Sequence, residues 1–140
     1  MKMNRLNPSF PDQKDIKSLI DFLPIFSEEG FVPIKRWEGR QEIEEGVFQF
    51  PFPIYDPTVT EFFALAGQPC WTDFEYTVKR EMTEAAIRDQ ANVGTFTLAD
   101  VRTALTYCVR GERFNDGHWG QMIKCGFIAS LLSKLIEFVC

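Results

Sequence analysis

The chain has 140 residues, 45% hydrophobic and 25% charged, a balance that suits one globular domain over 1–140 and excludes a disordered polypeptide. Its 15 basic residues are scattered among 20 acidic ones, for a net charge of −5, so neither nucleic acid nor an anionic membrane is an expected partner. Phenylalanine stands out, with 14 copies against 3 Trp and 3 Tyr; that surplus of aromatic area points to a pocket, a protein partner or self-association as a homo-oligomer.

No apolar run approaches the roughly 20 residues of a bilayer span. The opening Met1 to Pro8 lacks the apolar stretch of a signal peptide, so a cytoplasmic location is expected. Cys70, Cys108, Cys125 and Cys140 form no CxxC pair, and no disulfide is expected. Cys108 and Cys125 read as small buried apolar residues and Cys140 as an exposed one.

In chain order, Pro11 opens a helix whose apolar face is Ile16, Leu19, Ile20 and Leu23, and Pro24 ends it. Phe31 to Trp37 reads as a strand. The charged stretch Glu38 to Glu45 forms the exposed turn of an antiparallel hairpin, with room for a short third strand around Gln41–Glu44. Beyond it Phe48, Phe50, Phe52 and Ile54 recur at period two and share one face of an extended chain, predicting the aromatic core that the sheet offers the helices. Pro51 and Pro53 cannot donate ladder hydrogen bonds, which puts this strand at an edge.

Asp56-Pro57 is a helix start: the carboxylate caps free N–H groups, and proline at the first helical position gives up nothing. Val59, Phe62, Phe63 and Ala66 form its buried stripe, and Gly67 its end. Asp73 caps a longer helix to about Gln90 with Phe74, Val78, Met82, Ala85 and Ala86 inward, and Asn92 to Phe96 is a loop. Thr97 and Asp100 form a capping box for a helix with Leu98, Val101, Leu105 and Cys108 on one face. Two last helices, Trp119 to Lys124 and Phe127 to Phe138, part at Gly126, and the second turns Ile128, Leu131, Leu132, Leu135 and Val139 inward. The order predicts an α+β fold, a small antiparallel β-hairpin or three-stranded sheet packed against about five helices.

One polar stretch does not read as a solvated helix face. Residues 110–120 join two predicted helices and hold Arg110, Glu112, Arg113, Asp116, the single histidine His118, and Trp119, among three glycines. Asn115 or Asp116 is placed to cap the following helix, and His118 falls in its first turn, where the dipole disfavours the charged imidazole. The string Arg110-x-Glu112-Arg113-Phe114-x-x-Gly117-His118 resembles the signature of a bacterial domain family of unknown function. The similarity extends to Gly46–Pro51 with Tyr55, Val59 and Phe62, and to Gly126 with Leu131, Leu132 and Leu135. That family has no assigned activity, so the resemblance implies no catalytic residue.

Three readings of the stretch follow from its chemistry. In the structural one, Arg110 or Arg113 pairs with Asp116, Glu112 or helix carbonyls and locks the turn, with His118 a cap or core residue and Trp119 a wall. In the second, Arg110, Arg113 and free N–H groups near Gly117 hold a phosphate or carboxylate. In the third, His118 acts as general acid or base oriented by Asp116 or Glu112. Cys108, His118 and Cys125 match no zinc spacing, and no cofactor-binding or nucleophile motif is present; no cofactor, metal or catalytic residue is expected. The sequence favours a non-enzymatic binding or protein-interaction module. The alternative is a small enzyme or anion-ligand binder using Arg110, Arg113, Asp116 and His118, with Glu112 and Trp119 as further candidate ligand contacts.

Overall fold

The computed structural model describes residues 10–39, 42–48 and 50–140. Seven α-helices are present among them: α1 Gln13–Ile20, α2 Leu23–Phe26, α3 Pro57–Ala66, α4 Arg80–Arg88, α5 Leu98–Gly111, α6 His118–Lys124 and α7 Phe127–Ile136. Four short strands, β1 Ile34–Glu38, β2 Glu42–Glu44, β3 Val47–Phe48 and β4 Phe52–Tyr55, complete an α+β architecture.

The core is helical. Val59, Phe62, Phe63 and Ala66 of α3 share one cluster with Val101, Leu105 and Cys108 of α5, α5 packs in turn on α7, and Ile16 and Leu19 of α1 close one side. Local chemistry starts these helices where expected. The Asp56 carboxylate accepts the Thr58 N–H with Pro57 at the first position, and Thr97 and Asp100 form a reciprocal capping box. Ile128, Leu131, Leu132 and Leu135 are all buried, whereas Val139 is only partly so.

Several boundaries differ from expectation. Asp12, not Pro11, opens α1, through a capping box with Asp15. Pro24 does not end that helix; it lies in the first turn of α2, where its missing N–H has no helical partner to lose. The long helix expected after Asp73 is two pieces, a 3₁₀ turn Tyr76–Lys79 and then α4. Phe74 lies in the turn before the 3₁₀ segment and Val78 within it, so neither joins the stripe of α4, and both face solvent, at 73% and 79% exposure. A 3₁₀ segment Gln90–Thr95 replaces the expected loop. Cys125 is exposed rather than buried.

The sheet departs most. β1 and β4 form a two-stranded antiparallel pair, and β2 and β3 a separate pair at the tip of the same arm, not a third strand in one sheet. Of the expected third strand, Gln41 lies outside the described residues. Ile34 pairs with Tyr55, Arg36 with Ile54 and Trp37 with Pro53, so Lys35 is an extra, bulged residue. The bulge shifts the alternation of β1 alone, so that Ile34 and Trp37 share a face with Tyr55, while Phe52 and Ile54, still at period two in β4, lie on the other. The expected aromatic row is therefore not the core: Phe50 is 87% exposed, Phe52 and Ile54 are partly buried, and the Phe48 side chain lies outside the described residues.

Candidate functional site

The face carrying Ile34, Trp37 and Tyr55 rests on α6, and the α5–α6 corner is shaped to receive it. A Cβ at Gly120 would lie 2.9 Å from the Ile34 side chain, and one at Gly117 would lie 3.1 Å from the Trp37 ring. Gly117 has φ +92°, a left-handed backbone that glycine adopts without a Cβ penalty. The two glycines, one helical turn apart, leave a strip without side chains into which β1 settles.

Glu112 holds this corner. Its Oε1 accepts the Tyr55 hydroxyl at 2.8 Å and the Trp119 N–H at 2.9 Å, and its Oε2 accepts the Gly117 N–H at 3.0 Å. One carboxylate thus ties β4 to the first turn of α6, and its charge strengthens each bond. Burial and the adjacent Glu112 charge raise the Tyr55 hydroxyl pKa far above its ordinary value, so the phenol remains the donor. Trp119 completes the lock: its Nε1 donates to the Val109 carbonyl at 3.1 Å and its ring stacks on Phe63 at 4.6 Å.

This overturns two expectations. The turn is not tied by arginine–carboxylate pairs; among the described residues neither Arg110 nor Arg113 forms an ion pair. Neither Asn115 nor Asp116 caps α6, which has Gly117 at the N-cap position and takes its carboxylate from Glu112 instead. The N–H groups that would have received an external anion are occupied by the chain's own carboxylate.

The six candidate residues separate. Arg110 lies over the rings of Phe74 and Tyr76, at 5.6 and 5.7 Å from their centroids. Arg113 and Asp116 are exposed, and Glu112 and Trp119 point into the corner. His118 packs on the opposite side of α6's first turn, against Gly111, where a Cβ would overlap the imidazole, and 5.9 Å from the Tyr107 ring. Its Nε2 is buried with no hydrogen-bond partner among the described residues. Burial lowers the imidazole pKa, against the opposing pull of Glu112. No carboxylate among the described residues hydrogen-bonds the ring, so nothing here orients it as a base.

Two hollows flank the corner. One, about 650 Å³, runs from Val32 into β1 as far as Trp37, with Gly117 at the N-cap of α6 and Gly120 and Lys124 of that helix opposite. The other, about 420 Å³, is walled by Tyr76, Tyr107 and Phe114, with Arg80, Asn115 and His118 around it. Sequence reasoning missed Trp37, Arg80 and Tyr107 as hollow-lining residues. Arg80 and Tyr107 sat on helices read by their apolar faces alone; for Trp37 the available signal was Gly117-x-x-Gly120, a spacing that admits a large side chain from outside. Among the described residues no three His, Cys, Asp or Glu side chains converge as a metal site, and no helix is long and apolar enough to cross a membrane.

A family of unknown function, DUF6508, matches residues 11–139. The chain belongs to that family. No curated protein and no solved structure matches it. Membership in DUF6508 covers the helical core, the arm and both hollows, and carries no activity with it.

Proposed function

We propose that this DUF6508 chain is a non-catalytic interaction module that takes an extended segment of a partner protein into the groove between β1 and α6. The observation that carries this reading is the pairing of β1: among the described residues it bonds to β4 alone, and the groove runs beside it from Val32 to Trp37. An open edge offers main-chain N–H and C=O groups to an added strand, and neighbouring pockets select its side chains. Trp37, 50% exposed, and Val32, 59% exposed, supply apolar contact above the Gly117–Gly120 strip.

Charge favours an acidic-apolar segment. Lys35, Arg36 and Lys124 line the groove, and among the described residues no carboxylate does. Lys35 bonds Asp56 and Arg36 bonds Glu38 outside it, so Lys124 is the cation without an ion-pair partner among the described residues. A catalytic reading of His118 is less well supported, because its Nε2 is enclosed and unoriented.

The test is selection of binders from a random linear peptide library, followed by amide-shift mapping and two variants. Selected peptides should pair an acidic with an aliphatic residue, shift the β1 amides, and bind Trp37→Ala or Lys124→Glu about tenfold more weakly. Peptides that bind both variants as well as wild type, or that shift only residues away from β1, would overturn the proposal. A dimer abolished by Trp37→Ala would replace the partner by a second copy of the chain.

A further inference from the structure

The second hollow lies on the far side of α6 from the groove, and its chemistry is different. Tyr76, Tyr107 and Phe114 contribute rings, and Phe114 is 82% exposed, an apolar surface with no core to join. Among the described residues that line it, Arg80 is the one permanently charged side chain. Glu84 lies behind the wall, accepting the Arg80 Nε at 3.4 Å and the Tyr107 hydroxyl at 3.1 Å. The terminal amino groups of Arg80 have no hydrogen-bond partner among the described residues. Arg110 lies over the Tyr76 ring, 5.7 Å from its centroid.

We infer that this hollow binds a small aromatic monocarboxylate, its ring held among Tyr76, Tyr107 and Phe114 and its carboxylate on the guanidinium of Arg80. Flat aromatic walls favour a ring at stacking or edge contact over a flexible aliphatic chain. A guanidinium presents parallel N–H donors that match a planar carboxylate in bidentate fashion, which a point charge cannot do. The ligand's charge is limited to one: Glu84 offsets part of the cationic field, and burial biases the His118 imidazole toward its neutral form. A volume of about 420 Å³ accommodates a single ring with a short acidic substituent. This site is independent of the β1 groove, and either proposal survives the failure of the other.

Benzoate and its uncharged analogue benzamide are the probes, titrated into the full chain and followed by amide and aromatic NMR shifts. Benzoate should bind once per chain with Kd on the order of 1 mM, and benzamide about tenfold more weakly. Arg80→Gln, at a largely exposed position, should weaken benzoate about tenfold and leave benzamide unchanged. Phe114→Ala, also exposed, should weaken both probes several-fold. No saturable shift with benzoate to about 20 mM, or binding indifferent to both substitutions, overturns the inference. An equal loss of benzoate and benzamide in Arg80→Gln overturns the assigned role of the guanidinium.

Discussion

Phe62 and Phe50 show how differently two regions of this protein use the same side chain. Phe62 is fully enclosed where α1, α2 and α3 meet, with the rings of Phe22, Phe26 and Phe63 packed around it at 5.0 to 5.3 Å. Phe50, in the arm formed by β1 to β4, touches the interior hardly at all and is 87% exposed. The helical core thus holds its aromatics against one another, while the arm holds them out or against the α5–α6 corner. The difference separates stability from recognition: one region is close-packed, the other is a lightly anchored surface fastened through Glu112.

The sharpest way to break that comparison is to truncate each ring. Phe62→Ala removes a fully buried aromatic and should cost about 3–5 kcal/mol in urea unfolding, enough to threaten a chain of ordinary stability. Phe50→Ala should stay within about 0.5 kcal/mol of wild type. A Phe50→Ala loss comparable to that of Phe62→Ala would mean the arm is part of the core after all.

A smaller effect probes the fastening. Glu112→Gln keeps the shape but leaves one oxygen where two accepted the Tyr55, Gly117 and Trp119 donors. The expected loss is about 1–3 kcal/mol, from weakened charge-assisted bonds at a partly buried position. Hydrogen exchange should show faster amides in β1 and β4, with those of α7 protected nearly as in wild type. Equal acceleration in α7 would make arm and core one cooperative unit.

What the sequence disclosed divides along the same line. Helix starts at Asp56-Pro57 and Thr97/Asp100 were legible because a cap is a contact within three residues. The stripes of α3, α5 and α7 were legible because a single regular period points one face inward. The bulge at Lys35 was not, since nothing local marks it and one inserted residue exchanges the faces of the strand. Glu112 was singled out, but its partner was expected to be an arginine a few residues away. The hydroxyl it bonds belongs to Tyr55, 57 residues earlier, and only the folded arm brings it there.

The smallest effect concerns His118, and its sign follows from burial. An unfolded histidine titrates near 6.5, and enclosure lowers the folded value below that. Between the two values the unfolded chain binds more protons, so stability is full above about pH 6.5 and declines as pH falls toward the folded pKa. The slope for one proton is at most about 1.4 kcal/mol per pH unit, and the ring's partial solvent access reduces it. Glu112 opposes the decline, and Tyr107 stays neutral throughout because burial and Glu84 raise its pKa. The capping carboxylates Asp12 and Asp56, held below their usual range by hydrogen bonds, lose their contribution only below about pH 4 and do not overlap this window. Urea midpoints at pH 7.5 and 5.5 should therefore fall for wild type and stay level for His118→Asn; a parallel fall in both would assign the slope to other groups and leave the imidazole no part in it.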